Sequence, residues 1–254
     1  MLNKLARWFF RLLGAVFLLL LLLAAIVLLT NVNARQPLDV VQGMPVYQKM
    51  EGVFTVADVD SLKALYGNNK QLPQGYELQT LFALSYYPEL KNVTISFELV
   101  PDGAPMESNF NFATLLGPAK NRHYRILLNN GQEAMLDPIL LRNLPFDAQV
   151  GILAHELGHT VYYHQLSLFG IGKWGLMYAL YDDFRATHER STDLVPVVRG
   201  AGWQIHHYAA YVRTGPGMEK FYQEASQFID KYYMTHHEIM AKMVTTGLYP
   251  TATN

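Results

Sequence analysis

Cysteine is absent from this chain of 254 residues. Disulfides, thiol nucleophiles and cysteine-ligated metal centres are therefore excluded, and any metal site must use histidine and carboxylates. The absence is also compatible with an oxidising compartment. Net charge is nearly absent too: 20 Lys and Arg stand against 21 Asp and Glu, for a formal charge of -1. A broad basic surface is excluded, and with it nucleic acid as a partner. Internal repeats, low-complexity tracts and long charge runs are missing. No charged residue occurs between Arg11 and Arg35.

That last absence leaves an unbroken apolar stretch from Leu12 to Leu29. Its length predicts one transmembrane helix, at about residues 12–30. Lys4, Arg7 and Arg11 precede it, with Trp8, Phe9 and Phe10 at its entrance. The positive-inside rule then predicts a cytoplasmic N-terminus and a single pass. Val32-Asn33-Ala34 is a poor small-x-small cleavage site, which favours an uncleaved anchor over a signal peptide. The expected division is an anchor at residues 1–34 and one extracytoplasmic domain at residues 35–254, periplasmic if the source is Gram-negative.

Residues 31–50, with Pro37 and Pro45, read as a juxtamembrane linker. Helical spacing follows over Ala57 to Tyr66 and Tyr76 to Tyr87. Three strand signals come next: Asn92 to Val100, Asn109 to Ala113 and His123 to Leu128. Beyond them the pattern is helical. Asp147, two residues after Pro145, is expected to cap a helix starting there. Leu166 to Leu180 is moderately apolar, but Gly170, Gly172, Lys173 and Gly175 interrupt it, which predicts a flap or surface-seeking loop. Helices are expected again over about 178–200 and 218–245. The fold class expected is α+β: a small sheet, then a central helix, then C-terminal helices.

The central helix carries His155-Glu156-Leu157-Gly158-His159, an H-E-x-x-H sequence inside the apolar run Val150 to Tyr163. Residues four apart share a helical face, so both imidazoles can reach one ion. Glu156 can then address a water on that ion. Two His ligands and a Glu general base are the zinc-hydrolase arrangement. One Zn2+ per chain is expected.

A catalytic zinc takes three protein ligands and leaves one position open. A third His in the form HExxHxxGxxH is missing, since position 162 is Tyr and 165 is Gln. The third ligand must then be a carboxylate. Glu189 and Asp193 stand four apart in His188-Glu189-Arg-Ser-Thr-Asp193 and share a helical face. Glu189 is assigned as the ligand, and Asp193 as the acceptor that orients a ligand His. Asp182 and Asp183 are weaker candidates, better suited to a solvated helix turn.

HELGH followed by E-x-x-x-D resembles the gluzincin metallopeptidases, especially the membrane-associated HtpX-like and CAAX-prenyl-protease-like group. Thr192 stands where that group has Ala. The resemblance implies a zincin-like metallopeptidase domain and an edge strand beside the metal helix that holds extended substrate. The matching segment is His123 to Leu128, with Arg125, Ile126, Leu127 and Leu128 as the expected substrate strand. Thr235-His236-His237 is similar to the group's Thr-His-Pro. This implies a catalytic role for His236 in stabilising an oxyanion, with His237 or Tyr233 as substitutes.

The function expected is that of a membrane-anchored zinc endopeptidase, with a peptide or protein as substrate and Glu156 as general base. The alternative is a membrane-tethered chaperone or scaffold whose zinc only holds the fold. Such a structural site is closed by a fourth protein ligand, for which His164 and His188 are available.

Overall fold

A computed structural model describes residues 2–249, without the side chains of residues 2–7, 10, 27 and 28. Helix α1 spans Leu2–Leu29. An irregular stretch follows, leading through a short 3-10 turn to α2 (Val59–Tyr66). Strand β1 (Lys70–Gln71) and helix α3 (Glu77–Ser85) come next. Strands β2 (Thr94–Val100) and β3 (Met106–Phe110), the short helix α4 (Phe112–Leu115) and strand β4 (His123–Asn129) complete the sheet region. The remainder is helical: α5 (Phe146–Gln165), α6 (Leu168–Leu180), α7 (Asp182–Val198), α8 (Gly202–Thr214), α9 (Glu219–Tyr232) and α10 (His236–Thr246). The architecture is α+β, mostly helical, with one four-stranded mixed sheet.

The expected transmembrane helix is corrected. Among the described residues, no helix is long and apolar enough to cross a membrane. The single-pass topology and the localisation built on it fall with that helix. The side chains from Leu18 to Leu22 are nonetheless exposed, and the far end of the helix meets α6, where the Lys173 ammonium donates to the Thr30 carbonyl at 2.7 Å.

The strand order is β1-β2-β4-β3. β4 pairs in parallel with β2 and antiparallel with β3, so it is an interior strand. The expectation that Arg125, Ile126, Leu127 and Leu128 form an edge is therefore wrong: both main-chain edges of β4 are occupied. The edge on the helix side is β3, and Ser108 on it shares a 2.9 Å hydrogen bond with Thr160 of α5. Asn109 to Ala113 is not a continuous strand either. The Asn111 side chain accepts from the Ala113 amide and starts α4.

Helix α5 runs through the middle of the molecule, and every residue from Asp147 to Tyr163 is buried. That explains the apolar setting of HELGH, since a helix covered on all sides is apolar all round. Two glycines of α5 permit close approaches to its neighbours. A Cβ on Gly151 would lie 2.2 Å from the Gln204 carbonyl of α8, and one on Gly158 would lie 3.1 Å from the Thr192 methyl of α7. Asp147 is not the cap, because the helix starts at Phe146. Its buried carboxylate accepts from the Met50 amide at 2.7 Å and the Gln204 side chain at 3.1 Å. The segment from Leu166 to Leu180 is a helix, not a flap: Ser167 caps it by accepting from Gly170, and its glycines do not break it.

Candidate metal centre

Helices α5 and α7 cross where Gly158 lies against Thr192 and Val195. The close crossing brings His155 and His159 opposite Glu189. The two Nε2 atoms are 3.1 Å apart, and each lies 3.3 Å from Glu189 Oε2. All three side chains are buried, and they form a group able to hold a metal ion. A tetrahedral ion at about 2.0–2.1 Å from each ligand separates its ligands by about 3.3–3.4 Å. The observed triangle has that size.

The hydrogen bonds behind the triangle decide where the protons sit. His155 Nδ1 donates to Asp193 Oδ1 at 2.9 Å, which leaves the lone pair of His155 on Nε2. Asp193 is itself held, since its other oxygen accepts from the Met234 amide at 2.7 Å. His188 Nδ1 donates to the Ala34 carbonyl at 3.1 Å. Burial pushes His188 down to about 3, so its ring is neutral and its Nε2 is an acceptor. His159 Nδ1, 3.2 Å away, donates to it. The lone pair of His159 is then on Nε2 as well. Glu189 Oε1 accepts from Tyr178 at 2.5 Å, leaving Oε2 turned to the imidazoles. With both imidazoles neutral, three lone pairs converge, and this disposition suits a cation.

A proton competes for the same place. Burial works against charge on His155, yet its bonds to Asp193 and Glu189 raise its pKa well above the ordinary value. Burial also works against charge on Glu189, yet the His159 charge and the two imidazole bonds bring it well below the usual carboxylate range. Both shifts mark a place that attracts positive charge.

Glu156 is turned the other way. It is buried, and burial raises its pKa against the opposing pull of His159 and His155. The main chain of Ser108, on the edge strand β3, hydrogen-bonds its carboxylate. Together with His155 and Asp193 it lines the inner end of a cavity of about 430 Å3. The walls are mainly apolar and include Leu136, Ile139, Ile152, Val212, Phe221 and Ile229.

The other sequence candidates are dispersed. His236 does not line this cavity. It starts α10, where its ring lies 5.6 Å from that of His206 and 4.0 Å from that of His237. The catalytic role expected for His236 is therefore corrected. Tyr233 does line the cavity, its ring 5.9 Å from that of His155. His164 is bonded to the Tyr124 hydroxyl at 3.3 Å, and Asp182 joins Arg185, Lys231 and Tyr232 at the start of α7. Sequence reading missed the outer roles of His188 and Tyr178. For His188 a signal existed, its place beside Glu189, but its partner Ala34 is a main-chain carbonyl and carries no sequence mark.

Comparison with protein-family models, curated proteins and solved structures finds no match to this chain. The reading of its function rests on the geometry above and on the HELGH and E-x-x-x-D patterns.

Proposed function

We propose that the protein is a zinc-dependent endopeptidase of gluzincin type. The observation that carries this reading is the triangle of His155, His159 and Glu189 beside the buried carboxylate of Glu156, which lines an apolar cavity. Two imidazoles and one carboxylate fit zinc, although such a donor set also accepts cobalt or manganese. When bound, the ion supplies Lewis acidity, polarising a carbonyl and easing ionisation of water.

The chain's own residues supply the rest. Glu156 takes a proton from the attacking water and passes it to the leaving amine. Its raised pKa suits both halves of that task. Tyr233 takes the place of His236 as the candidate donor to the developing oxyanion. The peptide lies extended along β3, the edge strand beside α5, by main-chain pairing. The cavity receives an apolar side chain next to the scissile bond, and its volume falls within the range of ligand pockets. The enzyme reading is favoured over a closed structural zinc because His164 bonds Tyr124 and His188 bonds the far side of His159.

The test is metal content followed by turnover. The wild type should hold one zinc per chain and cleave unstructured polypeptide next to apolar residues. Glu156→Gln should keep the metal and lose about 10²–10⁴-fold in turnover. Undiminished cleavage by that variant would falsify the mechanism.

A further inference from the structure

The segment between α1 and the rest of the molecule is fastened onto the back of the candidate centre. Ala34 accepts from His188 Nδ1 at 3.1 Å. The Tyr162 hydroxyl donates to the Asn33 carbonyl at 2.5 Å. Gln36 is buried: its side chain donates to Thr192 at 2.6 Å, and its amide to Ser191 at 3.2 Å. These partners lie on α5 and α7, the two helices that carry the triangle. His188 is fully buried and ringed by aromatic groups, with Tyr162 at 4.8 Å, Trp174 at 5.5 Å and Tyr178 at 6.0 Å between ring centres. In so apolar a pocket, its orientation and tautomer depend on its polar neighbours.

We propose that residues 33–36 and His188 are positioning elements of the metal centre, with the Ala34 carbonyl fixing His188 and His188 fixing His159. The relay runs Ala34 O, His188 Nδ1–H, His188 Nε2, His159 Nδ1–H, and ends in the lone pair of His159 Nε2. It does for His159 what Asp193 does for His155, but through an imidazole and a strap distant in sequence. Seating of the strap then sets metal affinity, so any movement that lifts residues 33–36 weakens the site. The proposal rests on the metal-centre reading above.

The experiment is zinc affinity of the full-length protein by chelator competition, with the Co2+ absorption spectrum as a second readout. The variants are His188→Phe, His188→Gln and the strap pair Gln36→Ala with Tyr162→Phe. His188→Phe keeps an aromatic ring but has no acceptor for His159, and should weaken zinc binding by about 10–100-fold. His188→Gln restores an acceptor near the position of Nε2 and should recover most of the loss. The strap pair should weaken binding in the wild-type background and add nothing in His188→Phe, because it acts through His188. Metal-free variants are compared by circular dichroism and thermal melting to confirm folding.

Equal zinc affinity in wild type, His188→Phe and the strap pair overturns the proposal. So does a loss in His188→Phe that His188→Gln deepens, which assigns the effect to ring packing. A strap effect that persists in His188→Phe overturns the relay. A wild type that binds neither zinc nor cobalt fails the metal-centre reading itself.

Discussion

Lone pairs and protons explain the centre at the scale of single residues. Each ligand imidazole is oriented from behind through Nδ1, His155 by Asp193 and His159 by His188. Asp193 does this while it also accepts the Met234 amide. Asp193→Asn keeps the shape but cannot accept from both partners without turning its amide NH2 toward one of them. Zinc affinity should fall about 10–100-fold, measured by competition with a chelator, while the fold is kept. Unchanged affinity would show that Asp193 does not orient His155. Much of this residue-level pattern was legible. HELGH and the four-residue step from Glu189 to Asp193 follow from helical periodicity alone. His236 was misplaced because a Thr-His dipeptide says nothing about which cavity its helix faces. Its ring packs instead on His206 of α8.

Two close approaches govern the packing of elements. The α5–α8 crossing depends on Gly151, since an added Cβ would press into the Gln204 carbonyl. Gly151→Ala should therefore destabilise the protein despite the better helix propensity of alanine. A loss of about 1–3 kcal/mol is expected from overpacking, read as a lower urea midpoint. A variant as stable as wild type would mean that α8 moves aside freely. The sheet teaches a related lesson. Alternation marked the region of β2 and the whole of β4, but strand order depends on partners far apart in the chain. The edge role therefore passed from β4 to β3, whose outer side meets α5 through Ser108 and Thr160. The Gly-rich stretch of α6 misled for a different reason. Glycine costs helix stability by roughly 1 kcal/mol each, and here packing and the Ser167 cap outweigh that cost.

For the molecule as a whole, stability should depend on pH through a second histidine group. Burial lowers His206 to about 4, helped by the charges of His207, His236 and His237. The unfolded chain takes up this proton near pH 6.5, whereas the folded protein resists it until about pH 4. The unfolded state thus binds more protons across that window, and stability falls as pH drops through it, levelling below. Thermal midpoints of the metal-free protein from pH 7.5 to 4 should show this decline. His206→Asn should make it shallower, with His188, lowered to about 3 by burial, supplying decline over the same window, and an unchanged slope in that variant would assign all of it to other groups. His206 lies on α8 against His236 of α10, so its share of the acid decline falls on the contact between those helices.

By itself, the sequence determined the chemistry available: no thiols, a balanced net charge, and a candidate ligand set of His155, His159 and Glu189 with Glu156 beside it. These follow from residue type and from the 3.6-residue helical period, both local properties. Only the tertiary structure decided that β3 is the edge strand beside α5, that His236 lies with His206 and not at the centre, and that the strap at residues 33–36 reaches His188. It also closed the apolar cavity from segments that are distant in the chain. Each of these depends on long-range packing and on main-chain carbonyls and amides, which every residue carries and no side-chain pattern distinguishes.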